Sequence, residues 1–127
     1  MDQIANMLIA IKNGGLVKKA TVKLPSSKMK VAILELLKKE GYIKTYIVHG
    51  DVKSTVEIVL EYTKGVSRIN GVARVSKMSK RVYTGVKDIT SFKYGHGMTV
   101  LSTPKGILSD KQARKEMVGG ELLFTIW

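Results

Sequence analysis

The sequence predicts an α+β fold of two small packed subdomains: an N-terminal α-β-α-β-β unit over residues 1–64, and a C-terminal, mainly β unit with a short helix over 65–127. Three observations carry this. Apolar residues recur at helical spacing twice in the first half, as Ile4-Met7-Leu8-Ile11 and Ala32-Ile33-Leu36-Leu37. A strict alternation follows, with Val56, Ile58, Leu60 and Tyr62 on one face and Thr55, Glu57 and Glu61 mostly on the other. Beyond Lys64-Gly65 helical periodicity becomes scarce, and short β runs separated by Gly, Ser and Lys take over. The chain's 127 residues suit one compact fold or two small units sharing an interface. The linker is too short for freely moving domains.

The first predicted helix runs from Gln3 to Asn13. Asp2 is its N-cap, placing an acceptor and a negative charge at the positive helix end. Gly14-Gly15 is expected to stop it, and its polar side carries Asn6, Lys12 and Asn13. A strand from Ala20 to Leu24 ends at Pro25, and a second helix starts after Ser26-Ser27 and runs to about Glu40, with Gly41 at its end. Strands from Tyr42 to Val48 and from Thr55 to Tyr62 are joined by a turn at His49-Gly50-Asp51. In the second half, strands are expected at Ile69 to Val75, Arg81 to Tyr83, Thr99 to Thr103 and Glu121 to Ile126. A short helix is expected from Ser109, as cap, to Met117. Neither repeats nor low-complexity segments are visible.

Composition narrows the function classes. Lys plus Arg number 22 against 10 Asp plus Glu, a formal net charge of +12. A folded chain carrying that charge repels itself and usually meets a polyanion; nucleic acid comes first and an anionic membrane surface second. The charge is unevenly spread. Between Lys64 and Lys105 stand Lys64, Arg68, Arg74, Lys77, Lys80, Arg81, Lys87, Lys93 and Lys105, with Asp88 as the one acid. Without cysteine, disulfides and thiolate metal sites are excluded. His49 and His96 are far apart and have no clustered carboxylates, so no metal site is expected. Neither a membrane span nor a signal peptide is legible, and a soluble protein is the expectation. No Ser-His-Asp set, cysteine nucleophile or carboxylate pair supports catalysis, and His96 between Gly95 and Gly97 reads as a turn residue. An enzyme and a cofactor are therefore not expected.

Four constellations could carry binding. In Lys77-Met78-Ser79-Lys80-Arg81-Val82-Tyr83, three cations can neutralise phosphates while Tyr83 stacks on a base or sugar; the bland alternative is a solvated basic turn. In Ser26-Ser27-Lys28-Met29-Lys30 the serines cap a helix. Lys28 and Lys30 oppose the helix dipole unless a phosphate sits there; a phosphate site and an exposed helix start are both open. In Ser102-Thr103-Pro104-Lys105-Gly106 a strand delivers two hydroxyls, Pro stiffens the turn and Gly allows close approach. The hydroxyls suit ribose 2′-OH groups and base edges in the shallow RNA minor groove, and Lys105 suits a phosphate. Most such pentapeptides are plain turns. In Gly119-Gly120-Glu121 the glycines suggest a tight bend or close backbone contact, and the carboxylate is expected to hold a loop through backbone or hydroxyl groups. Trp127 is expected in the core.

Taken in order, these segments resemble one family. Gly97-Met98-Thr99-Val100-Leu101-Ser102-Thr103-Pro104-Lys105-Gly106-Ile107-Leu108-Ser109-Asp110-Lys111-Gln112-Ala113-Arg114 followed by Gly119-Gly120-Glu121 is similar to the signature of the bacterial-type small-subunit ribosomal protein eight family. The likeness extends through Ile4-Ala5-Asn6-Met7-Leu8 and Ile11-Lys12-Asn13, Pro25-Ser26-Ser27-Lys28, Glu40-Gly41-Tyr42-Ile43, and Arg74-Val75-Ser76-Lys77 with Arg81-Val82-Tyr83. The resemblance implies a structural protein that binds the central domain of small-subunit ribosomal RNA and helps build the platform. It implies neighbouring ribosomal proteins, numbers five and twelve among them, as partners. It further implies no membrane, no homo-oligomer and a cytoplasmic ribosome, an organellar one being indistinguishable by sequence. It places Ser102 and Thr103 in the RNA minor groove with Glu121 close by, and gives backbone contacts to the first helix (Lys12, Asn13) and to the start of the second (Lys28, Lys30). Three departures stand out: Met78-Ser79-Lys80 where the family usually has Pro-Gly-Leu, Gln3 for a common proline, and Ile9-Ala10 for a common Thr-Arg pair. A DNA-binding protein and an RNA-acting enzyme are the rival classes; the first explains the charge but not the hydroxyl loop, and the second lacks an acid-base pair.

Overall fold

A computed structural model describes residues 3–50, 53–76, 80–89 and 97–127, which form an α+β chain of two units, Gln3–Asn70 and Gly71–Trp127. The expected cap Asp2 and the turn residue Asp51 lie outside the described residues.

In the first unit, α1 runs Gln3–Leu16 and buries Ile4, Met7, Leu8 and Ile11, the stripe read from the sequence. It does not stop at Gly14-Gly15. Both glycines lie inside the helix because neighbours press against it: a Cβ on Gly14 would stand 2.7 Å from Val22 Cγ2, and one on Gly15 2.6 Å from Ser67 Oγ. Close packing offsets the helix-interior cost of glycine, about 1 kcal/mol each. The true stop is Lys18, at φ 57°. Its N–H donates to the Gly15 carbonyl (3.2 Å) and that of Lys19 to the Gly14 carbonyl (2.9 Å), the paired bonds of a Schellman ending.

Strand β1 (Thr21–Pro25) and β2 (Ile43–His49) both pair antiparallel to β3 (Thr55–Leu60), which lies between them. With α2 (Lys28–Lys39) as the connection from β1 to β2, this is a split β-α-β arrangement. Pro25 is tolerated because β1 is an edge strand. Val56, Ile58 and Leu60 form the buried face of β3, as the alternation predicts. On α2 the inward residues are Ile33, Leu34, Leu36 and Leu37; Ala32 is exposed and Leu34 takes the place expected of it. Tyr46 of β2 donates to Glu35 Oε2 (2.7 Å), and that hydrogen bond, with some burial and the carboxylate's charge, raises the phenol's pKa above its ordinary 10.0. Tyr62 leaves the alternation: its hydroxyl reaches the Lys19 carbonyl (2.5 Å) and pins the end of α1. Lys64-Gly65 is the turn of a small hairpin between β4 (Tyr62–Thr63) and β5 (Val66–Ser67), so Val66–Asn70 belong to the first unit.

In the second unit, β10 (Gly120–Ile126) is the central strand. One edge pairs with β8 (Met98–Thr103), which in turn pairs with β9 (Gly106–Ser109). The other edge pairs with β6 (Val72–Arg74) and with β7 (Tyr83–Thr84). The expected first strand is thus shorter, and β9 is an addition; its Gly-Ile-Leu-Ser run has no alternation to announce it. Helix α3 (Asp110–Glu116) starts in a capping box between Ser109 and Gln112. Its Ala113 packs with Ile89, Leu101, Leu108, Val118 and Leu122. Trp127 is half-buried rather than core: it exchanges both backbone hydrogen bonds with Gly71 (3.0 Å each), and its ring fills the space a Gly71 side chain would need.

Candidate nucleic-acid interface

The two glycines that open β10 bring three strands together. A Cβ on Gly120 would strike the Ser102 carbonyl and come within 3.1 Å of Thr103 Cα; one on Gly119 would strike the Thr84 carbonyl and lie 2.9 Å from Gly85 Cα. The close backbone contact expected of this pair is present. It sets the register: Glu121 is directly opposite Ser102 on β8 and directly opposite Tyr83 on β7. Opposed residues of a sheet share a face, so Tyr83, Glu121 and Ser102 form one row across three strands. The next pair, Leu122 and Leu101, faces the core with α3. The row is therefore on the opposite face from that cluster, at the end of the face whose neighbouring residues Val100 and Phe124 are buried.

Among the described residues, Glu121 bonds a guanidinium rather than the backbone or hydroxyl groups expected of it. Its Oε2 accepts from Arg81 Nη1 at 3.1 Å, so it fixes a guanidinium beside the row. Its side chain is only 17% exposed, against 47% for Arg81, so the carboxylate is the anchor and the cation the presented group. Tyr83, a residue 69% exposed, leaves its ring open to stacking. Lys80 is also exposed, whereas Lys77 lies outside the described residues.

The loop Ser102–Gly106 is the β8–β9 hairpin, closed where Thr103 pairs with Gly106. Pro104 supplies the fixed φ of the first turn position, and Gly106 the φ of 109° that closes it. The Thr103 hydroxyl donates to the Gly106 carbonyl (2.8 Å) and accepts from the Lys105 N–H (3.1 Å). Thr103 thus builds the turn. Ser102 is half-buried, and no hydrogen bond among the described residues occupies its hydroxyl. Pro104, Lys105 and Gly106 are exposed. The Lys105 ammonium lies 3.4 Å from Glu116 Oε2, with both side chains about half exposed (54% and 49%). Such a pair is worth under about 1 kcal/mol and yields readily to a phosphate.

The first unit carries the remaining candidates. Lys12 and Asn13 are exposed on α1, and Lys28 is exposed in the first turn of α2. Ser27 is the N-cap there, accepting from the Lys30 N–H at 3.2 Å. Lys30 departs from expectation. It is buried at 6% exposure, and its ammonium donates to the Pro25 carbonyl at 2.9 Å. Its ammonium ties α2 to the end of β1, whereas the sequence offers it for a phosphate. Among the described residues no three side chains are grouped to hold a metal, and no helix is long and apolar enough to cross a membrane.

One residue of this region escaped the sequence reading. Ser76 is fully buried, and its hydroxyl accepts from the Val82 N–H (2.9 Å) and donates to the Val82 carbonyl (3.2 Å). A small hydroxyl residue directly between a β run and a basic run was the available signal.

Known proteins are similar to this chain over nearly its whole length. Small ribosomal subunit protein uS8 of Mesomycoplasma hyopneumoniae is 47% identical over 126 residues, covering 99% of this chain and 96% of the relative. The proteins of the same name from Allorhizobium ampelinum and Buchnera aphidicola are each 44% identical, covering 99% and 96% of this chain and 97% and 94% of the relatives. The sequence model of ribosomal protein S8 matches residues 2–127. The chain belongs to the ribosomal protein S8 family, whose members are non-enzymatic structural components of the ribosome.

Proposed function

We infer that this chain is a structural constituent of the small ribosomal subunit, and that it binds the central domain of small-subunit RNA directly and helps assemble the platform. Family membership supports the first part. The observation that carries the second is the row Tyr83–Glu121–Ser102 beside the exposed hairpin Pro104-Lys105-Gly106. The Ser102 hydroxyl both donates and accepts, which suits a ribose 2′-OH or a base edge in the wide minor groove of an RNA helix. Tyr83 stacks on a base or sugar, while Arg81, Lys80 and Lys105 neutralise phosphates and set the orientation. Lys77 joins this set by its place in the sequence. Lys12, Asn13 and Lys28 supply further backbone contacts from the first unit. Neighbouring small-subunit proteins, five and twelve among them, are the expected protein partners.

The test is binding of a central-domain RNA fragment, with duplex DNA and an unrelated RNA hairpin as competitors. Ser102→Ala is expected to weaken the cognate complex about tenfold, the worth of one lost hydrogen bond near 1.4 kcal/mol. Its effect on the unrelated hairpin should be small. Equal losses on both RNAs would make the loop a bystander, and equal binding of duplex DNA would favour the DNA-binding class.

A further inference from the structure

The second unit contains a joint that the binding face itself does not use. One edge of β10 carries two partners in succession: Phe124, Thr125 and Ile126 pair with β6, and Gly120 and Glu121 pair with β7. At Leu122 the edge changes partner. There the Ser76 N–H donates to the Leu122 carbonyl (3.1 Å), and the Leu122 N–H donates to the Val82 carbonyl (2.8 Å). Val82 lies just before β7, and the Ser76 side chain stands in for a strand opposite it. The Ser76 hydroxyl accepts from the Val82 N–H at 2.9 Å and donates back to the Val82 carbonyl at 3.2 Å. One fully buried oxygen thus ties Ser76 to Val82 through two bonds to the same residue.

Two bonds to one residue fix the direction of its peptide groups as well as its distance. That direction matters here. Val82 separates Arg81, held by Glu121 at 3.1 Å, from Tyr83, which is exposed in register with Glu121. Arg81 and Tyr83 flank Val82 and share a face, so a turn of Val82 about the chain axis would swing the guanidinium and the phenol ring off the row together. We propose that Ser76 is a positioning residue for RNA binding: its hydroxyl locks Val82 so that Arg81 and Tyr83 meet the same RNA together. This rests on the RNA-binding reading above. Packing alone does not call for the hydroxyl, because an alanine fills nearly the same volume.

A double-mutant cycle on the full chain tests this, with a central-domain RNA fragment as the probe. Ser76→Ala is introduced into the native chain, into Arg81→Ala and into Ser102→Ala, and thermal melts establish that each variant is folded at the assay temperature. In the native chain the expected loss of affinity is about tenfold. In Arg81→Ala the added loss should fall to about threefold, because one of the two positioned groups is gone; in Ser102→Ala it should stay near tenfold. Losses equal in all three backgrounds, or no loss at all, would overturn the proposal. If Ser76→Ala does not fold, Ser76→Cys, which keeps a weak donor, goes through the same cycle with a smaller loss and the same pattern of coupling. A chain that folds with neither substitution assigns Ser76 a purely structural role and also overturns it. Failure of the native chain to bind that RNA would instead sink the RNA-binding reading itself.

Discussion

At the scale of single residues, two lysines only two positions apart have opposite fates. Lys28 and Lys30 both stand in the first turn of α2, where a cation opposes the helix dipole. Lys28 is exposed, and a phosphate would turn that opposition into attraction. Lys30 is buried on the Pro25 carbonyl. Lys30→Ala should therefore destabilise the fold by about 1.5–3 kcal/mol, the worth of a hydrogen bond made by a charged group, and leave the salt dependence of RNA binding unchanged. Lys28→Ala should do the reverse, with little change in a denaturant melt and a salt slope shallower by about 1. A Lys30→Ala variant of native stability would contradict the buried bond. The hairpin hydroxyls differ in the same way: that of Thr103 is spent inside the turn and that of Ser102 is not.

At the scale of elements, the position of a glycine matters more than its presence. Gly120 sits where a side chain would meet the backbone of Ser102 and Thr103, and backbone cannot give way as a side-chain tip can. Gly120→Ala should cost about 2 kcal/mol or more in chemical denaturation, and should weaken RNA binding because it displaces Ser102. Gly85 lies close by but has open space around its missing Cβ and a φ of −87°, so Gly85→Ala should change stability by less than about 0.5 kcal/mol. A Gly120→Ala chain as stable as Gly85→Ala would count against the close approach of β10 to β8. The glycines of α1 make the related point that a pair read as a helix stop can be a packing notch, with the stop supplied by a lysine in the left-handed region.

At the scale of the whole molecule, the net charge of +12 is expected to be the largest single influence on the proposed RNA binding. If Lys12, Lys28, Lys80, Arg81 and Lys105 each neutralise one phosphate, log K against log salt should fall with a slope of roughly −4. Titrating the central-domain RNA complex from low to high salt measures this. A slope near zero would remove the phosphates from the interaction. On the proposed function the charge supplies affinity for any nucleic acid, and discrimination is expected from the few groups that do more than attract: the Ser102 hydroxyl, the Tyr83 ring and the Arg81 guanidinium held by Glu121.

The sequence alone determined the α+β class, the stripes of α1 and β3, the Ser27 and Ser109 caps and the basic segment. Each is a local pattern, with a period of 3.6 or 2 residues, a cap at a fixed offset or a run of one charge. It also pointed to the hairpin Ser102–Gly106 and to the glycine pair before Glu121. Only the tertiary structure decided what those residues face. Tyr83, Ser102 and Glu121 are far apart along the chain, and their row exists because three strands pair in one register. The burial of Lys30, the continuation of α1 through Gly14-Gly15, strand β9 and the Ser76–Val82 joint have the same origin. Each depends on a neighbour brought in by folding, and a pairing between distant segments leaves no period in either one.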